Sequence, residues 1–296
     1  MPDSLNQTIV LKDGRRLGYA EAGDPNGKPV FHFHGWPGSR LEVDIFRLAG
    51  DLTDLGVRLI APDRPGIGLS DFQPGRKILD WPEDVIQLAD ALGLERFSVQ
   101  GWSGGGPYVA ACALKIPNRV AACGFIAALG PPDVGEHKIM SGLRYIYPLA
   151  RRLPWLLPAW TWLIWGRAGR DQAKMEAALG QIQTMIASKD RQLYAQPEPR
   201  RAVAASMAAG FQPGTRGIAH DALLFGRSWG FNLQDIRHPC VSVWHGENDT
   251  NAPPSFGRVF ASSIPNSRAT FYPEEGHLSI IAGHGKEILL FLVDGL

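Results

Sequence analysis

The chain has 296 residues, of which 45% are apolar, and its 30 Lys and Arg are set against 29 Asp and Glu. That length supports a full hydrophobic core, and a net charge of +1 gives no global attraction to nucleic acid or to an anionic membrane. Any ligand preference must therefore come from a local site.

The first residues, Met1 to Asn6, have neither the basic flank nor the apolar stretch of a secretory signal, so a cytoplasmic location is expected. From Gln7 to Glu21 the pattern predicts two strands joined at Asp13-Gly14, a pair suited to the positive φ of a tight hairpin. Four apolar, β-rich runs follow: Pro29 to His34, Val57 to Ala61, Phe97 to Gly101 and Val120 to Ala128. Helical patterns lie between them, at Val43 to Asp54, Trp81 to Leu92 and Gly105 to Ile116. Such alternation predicts parallel strands linked by crossover helices. For the second helix, Asp80 is expected to cap the first amides with Glu83 reaching back, and Ala91-Leu92-Gly93 marks the end.

After Gly130 the character changes. Residues 131–228 show helical patches rich in Trp, Leu, Ala and Arg with no convincing strand, and predict an inserted helical cap between core segments 1–130 and 229–296. The apolar stretch Leu153 to Trp165, interrupted by Pro154 and Pro158, is too short for a bilayer span, which needs roughly 20 residues. No integral membrane segment is expected. The β-rich pattern resumes at Cys240 to His245 and Ala269 to Tyr272, with helices from Pro254 and from about Gly285 onward. Cys112, Cys123 and Cys240 sit in apolar runs without paired spacing, and read as buried thiols.

The run with the clearest chemistry is Gly101-Trp102-Ser103-Gly104-Gly105-Gly106, where an expected strand passes directly into an expected helix. A serine hydroxyl is a weak nucleophile unless it is held exposed beside a base, and a sharp strand-to-helix turn does this. The helix start also offers free amides to a developing oxyanion, so the N–H of Gly104 is one expected donor. A second glycine-rich turn, His34-Gly35-Trp36-Pro37-Gly38, ends an earlier strand and makes the amide of Trp36 the other. Trp102 and Trp36, next to these donors, are expected to touch substrate. His32 and His34 have no third ligand at a familiar metal spacing and read as structural.

Among the eight histidines, His277 follows the last expected strand in a polar loop, at the sheet edge where parallel strands deliver site residues. His284 is the rival base. Asp249, after the strand ending at His245, is the expected acid, with Glu247 and Asp133 as rivals. The order Ser, Asp, His is that of hydrolases built on a nucleophile elbow.

With these runs in hand, the chain resembles the capped serine hydrolases and esterases of the α/β-hydrolase superfamily. It carries His34-Gly35-Trp36-Pro37-Gly38, Asp63-Arg64-Pro65-Gly66-Ile67-Gly68-Leu69-Ser70, Gly101 to Gly106, Gly246 to Pro253 and Gly276-His277 in that family's order. The resemblance implies an α/β fold with an eight-stranded, mostly parallel sheet, a triad of Ser103, Asp249 and His277, and no cofactor or metal. It makes Asp63 to Ser70 a structural turn. The expected activity is hydrolysis of a small-molecule carboxylic ester through an acyl-enzyme on Ser103. Trp155, Leu156, Trp160, Trp162 and Trp165 either cover that site or simply pack the cap. Carbon–carbon bond hydrolysis, cyanohydrin cleavage and a slow-turnover ligand sensor stay open as alternatives.

Overall fold

The computed structural model describes residues 4–132, 143–166, 168–181 and 186–296. Eight strands form one sheet in the order β1-β2-β4-β3-β5-β6-β7-β8. They are β1 (Ser4–Val10), β2 (Arg16–Gly23), β3 (Lys28–Phe33), β4 (Val57–Pro62), β5 (Phe97–Trp102), β6 (Val120–Ile126), β7 (Val241–Gly246) and β8 (Arg268–Tyr272). The first two pair as the expected hairpin around Gly14 at φ +84°, and β2 runs antiparallel to β4. All later pairings, from β3·β4 to β7·β8, are parallel.

Parallel strands need both faces covered. On one face lie α1 (Trp81–Ala91), α2 (Gly106–Lys115) and α9 (Pro254–Ser263), contributing Val85, Leu88, Val109, Phe256 and Phe260 to a continuous core. On the other lie α10 (Ser279–Asp294) and a 3₁₀ stretch, Arg40–Ala49, which supply Val43, Phe46, Ile281, Ile288 and Leu292. Helices α3 (Leu143–Arg152), α4 (Leu157–Trp165), α5 (Gln172–Gln181), α6 (Ser188–Ala195), α7 (Pro197–Gly210) and α8 (Arg216–Phe225) lie in the chain between β6 and β7. No strand falls there among the described residues.

Several local expectations are corrected. The helix expected over 43–54 is a 3₁₀ stretch over 40–49: Ser39 Oγ accepts the Leu41 amide at its start, and Gly50, at φ +121°, ends it. Asp80 does not cap α1; its Oδ2 turns back to the Lys77 amide at 2.7 Å, while Glu83 accepts from Gln87. β6 stops at Ile126 because Ala127 takes φ +42° and gives its amide to Trp244 O on β7. The last helix begins six residues before Gly285, at Ser279. Cys112 and Cys123 are buried as expected, whereas Cys240 is partly exposed.

The chain leaves β3 for β4 on one side and later returns to place β5 on the other. The crevice at such a reversal, at the carboxyl ends of the strands, is where open α/β sheets bind ligands.

Candidate active site

Four loops reach that edge, after β3, β5, β7 and β8. The β5 loop is the tightest. Ser103 sits at φ +54°, in the left-handed region that costs an ordinary L-residue roughly 1–2 kcal/mol. Two glycines make the turn possible: a Cβ on Gly101 would lie 2.5 Å from the Gly105 carbonyl carbon, and one on Gly105 would collide with the carbonyl oxygen of Phe33 on β3. The Leu129 amide then holds Ser103 O at 2.8 Å. Ser103 is 8% exposed.

Gly104 lies in the first turn of the helical segment, where amides have no intrahelical acceptor. Its α-carbon faces the β3 loop so closely that a Cβ there would sit 3.3 Å from the Trp36 nitrogen. Among the described residues the Trp36 amide has no acceptor, whereas the neighbouring Gly35 amide gives its hydrogen to Glu42, 2.9 Å from either oxygen. The Gly104 and Trp36 backbones, which carry the two expected oxyanion donors, are thus in close approach.

Asp249 and His277 meet directly. His277 Nδ1–H donates to Asp249 Oδ2 at 2.7 Å, which assigns the neutral ring's free lone pair to Nε2. The second carboxylate oxygen, Oδ1, accepts the amides of Asn251 and Ala252 at 2.8 and 2.9 Å. The two loops are stitched together as well, since Glu247 N–H donates to Tyr272 O and Asn248 N–H to Glu275 O. Burial alone would lower the basicity of His277, but the charge and hydrogen bond of Asp249, with Asp190 and Glu42 further off, raise its pKa above the ordinary 6.5. His245 lies 3.6 Å from Asp249 Oδ2, yet burial lowers its pKa and its Nε2–H goes to Ala252 O.

Trp102, expected at the substrate, is buried. Its indole N–H donates to His277 O at 3.0 Å, and its ring lies against the imidazole with centroids 4.9 Å apart. Trp36 is half-buried, with its indole N–H on Ile218 O of α8. His284 stacks on Tyr272 and has Glu275 and Glu287 as carboxylate neighbours, so it is engaged away from Asp249. Glu247 pairs with Arg258 at 2.6 Å. Asp133 lies outside the described residues. His34 uses both ring nitrogens, Nδ1–H toward Gly35 O and Nε2 toward the Arg64 amide, and His32 bonds Glu42 at 2.8 Å. Asp63 is fully buried and accepts from the backbone and guanidinium of Arg40 and from the Leu69 amide, as a structural turn requires.

Three groups at the site escape the sequence reading. Asp190 of α6, 1% exposed, accepts the amides of His277, Leu278 and Ser279 at 2.7, 3.0 and 2.8 Å. It satisfies the first amides of α10 from a distant part of the chain, which is why that helix starts at Ser279 without a local capping residue. Glu42 is the second, because an acid just before the expected helix, two residues from Asp44, reads as a solvated charge. The third is a buried cluster around Asp221 of α8. Arg64 Nε bonds Asp221 at 2.8 Å while its other nitrogens hold the carbonyls of His34 and Gly35; Arg76 and Tyr108 bond the same carboxylate. Burial by itself would raise the Asp221 pKa, but the two guanidinium groups hold it well below the carboxylate range. Only Arg64 had a local signal, its place in the turn that directly follows β4.

A sequence profile of the α/β-hydrolase fold matches residues 28–153. Among curated proteins the chain is similar to a non-heme chloroperoxidase from Streptomyces lividans, 36% identical over 46% of this chain and 49% of that one. It is also similar to a 2-hydroxy-6-oxo-6-phenylhexa-2,4-dienoate hydrolase from Comamonas testosteroni, 30% identical over 44% of this chain and 46% of that one. The alignments thus span about half the length of these relatives. A solved structure, an alpha/beta hydrolase fold protein from Nakamurella multipartita, superposes with TM-score 0.69 at 25% identity, covering 98% of this chain and 100% of that one.

Proposed function

We propose that this chain, which has the α/β-hydrolase fold, is a serine hydrolase that cleaves a small or medium carboxylic ester through an acyl-enzyme on Ser103. The observation that carries this reading is the left-handed turn at Ser103 beside an adjacent pair of amides, together with the 2.7 Å Asp249–His277 bond at the same sheet edge.

His277 Nε2 takes the Ser103 hydroxyl proton as Oγ attacks the ester carbonyl. The resulting oxyanion is met by the Trp36 and Gly104 amides, each such donor contributing about 3 kcal/mol of transition-state stabilisation. His277 gives the proton to the leaving alcohol, then draws one from water as that water attacks the acyl-enzyme. Asp249 holds the imidazole in the required tautomer and stabilises its charged form. Trp102 braces the base through the His277 carbonyl, a positioning role in place of the expected substrate contact. Residues 131–228 act as a cap that narrows the choice of substrate, tied to the oxyanion turn by the Trp36 indole N–H on Ile218 O of α8.

The likeness to the dienoate hydrolase supports a second reading, hydrolysis of a carbon–carbon bond next to a carbonyl with the same three residues. A ligand sensor with an idle triad is the third.

A fluorophosphonate probe and a nitrophenyl ester separate these. The proposal expects labelling at Ser103, continued turnover after the first equivalent, and a fall of about four orders of magnitude or more in kcat for Ser103→Ala. A single turnover, or an undiminished rate in Ser103→Ala, overturns it. Preferential cleavage of a β-diketone over every acyl ester in a chain-length series would favour the second reading.

A further inference from the structure

Large apolar side chains are exposed at eight described positions, and six of them fall within one short segment: Leu153, Trp155, Leu156, Trp162, Leu163 and Ile164. Within that segment Leu163 is the most open at 78% and Trp155 follows at 68%. Helix α4 buries only Leu157 and Thr161, and the half-buried Trp160 and Trp165 pack inward against the core. The helix is therefore apolar on its outer side too. A contiguous exposed patch of this kind marks a docking surface in a soluble domain.

The sequence around it is one-sided in charge: between Glu136 and Asp171 it contains Lys138, Arg144, Arg151, Arg152, Arg167 and Arg170 and no Asp or Glu. Arg152 closes α3 immediately before the patch and is exposed. Arg227, also exposed, donates to Ala150 O in the same corner. The one carboxylate on α8, against which α4 packs, is Asp221, and it is buried and already shared between Arg64 and Arg76.

We propose that the segment 153–164 docks the protein on the surface of an anionic phospholipid bilayer. Trp155, Trp162 and Leu163 enter the boundary between headgroups and acyl chains, where indole rings partition, and Arg152 and Arg227 meet lipid phosphates. A second copy of the chain fits less well. A two-fold contact places the same patch on itself and brings like cations together with no carboxylate in the segment to offset them. The docking is peripheral, because α4 has nine residues and no helix among the described residues is long and apolar enough to cross a membrane. It does not depend on the chemistry at Ser103.

The test uses the full chain carrying Ser103→Ala, so that lipid binding is read without turnover. Co-sedimentation with vesicles of phosphatidylcholine containing 30% phosphatidylglycerol is compared with pure phosphatidylcholine. The expected result is binding to the anionic vesicles with a blue shift of tryptophan emission, weakened at least tenfold by Trp162→Glu with Leu163→Glu, and weakened also by Arg152→Glu and by added salt. Circular dichroism melts verify that these variants fold, and the milder Leu163→Ser replaces any that does not. Equal binding to both vesicle types, binding unaffected by the substitutions, or no binding at all overturns the proposal. Self-association that disappears in Leu163→Glu, without vesicle binding, assigns the patch to a second copy instead.

Discussion

His277 is held from three sides: Asp249 at Nδ1, Trp102 at the carbonyl and Asp190 at the amide. Asp190 also raises the His277 pKa by its charge, so two effects of one side chain can be measured separately. In the proposed mechanism the base must be neutral, and a raised pKa places the acid limb of kcat/KM above the ordinary histidine value of about 6.5. Asp190→Asn removes a negative charge, lowers the His277 pKa and moves that limb to lower pH; a pH profile with a nitrophenyl ester checks the direction. A limb that stays in place, in a variant that folds, would show that Asp190 is structural only. The same substitution should cost about 1–3 kcal/mol of stability, because a carboxamide cannot accept all three buried amides as a carboxylate does. None of this is legible locally. Ser103, Asp249 and His277 stand in glycine-marked turns after strands, whereas Asp190 sits between Lys189 and Arg191 and reads as a charged surface.

Sheet strands and core helices follow from hydrophobic period and glycine punctuation, so their expected limits lie within a residue or two of those observed, except that β1 starts at Ser4, three residues before the expected Gln7. The misjudged boundaries are those set by tertiary partners. The 3₁₀ stretch begins early because Asp63 binds Arg40 and because Gly35 and His32 bind Glu42, and α10 begins early because Asp190 receives its first amides. At the elbow, two elements approach so closely that one methyl group is decisive. Gly105→Ala would drive a Cβ into Phe33 O, and the expected outcome is a loss of several kcal/mol or failure to fold, read by urea denaturation. Arg64 links β4 to the turn after β3. Arg64→Met would leave Asp221 without one of its guanidinium partners, the His34 carbonyl without its guanidinium donor, and the Gly35 carbonyl with only the His34 ring. A destabilisation of about 3–5 kcal/mol is expected. Because Gly35 precedes Trp36, the proposed oxyanion donor, the proposed mechanism expects kcat for ester cleavage to fall more than KM rises. A change in KM alone would separate Arg64 from the oxyanion turn.

For the molecule as a whole, the helices between β6 and β7 are fixed to the core by buried polar contacts at both sides of the site. On one side Asp190 grips the base loop; on the other Asp221 grips Arg64, and Ser206 of α7 exchanges hydrogen bonds with Ser39. The folded state holds Asp221 below its ordinary carboxylate pKa, so its contribution is present above the unfolded value of about 4 and is lost as pH falls from there. Thermal melts from pH 7 to pH 3 should show a decline that Asp221→Asn reduces. An unaltered pH dependence in that variant would assign the acid sensitivity to other carboxylates. The Asp221–Arg64 pair also bears on engineering. Replacing the helical segment with that of a relative would not be a modular exchange, since the incoming segment must bring acceptors for Arg64 and for the first amides of α10. A chimera joined only at the loops would disarrange the turn proposed to hold the oxyanion, whereas one whose incoming segment carries carboxylates at the positions of Asp190 and Asp221 should retain the chemistry and change only its substrate range.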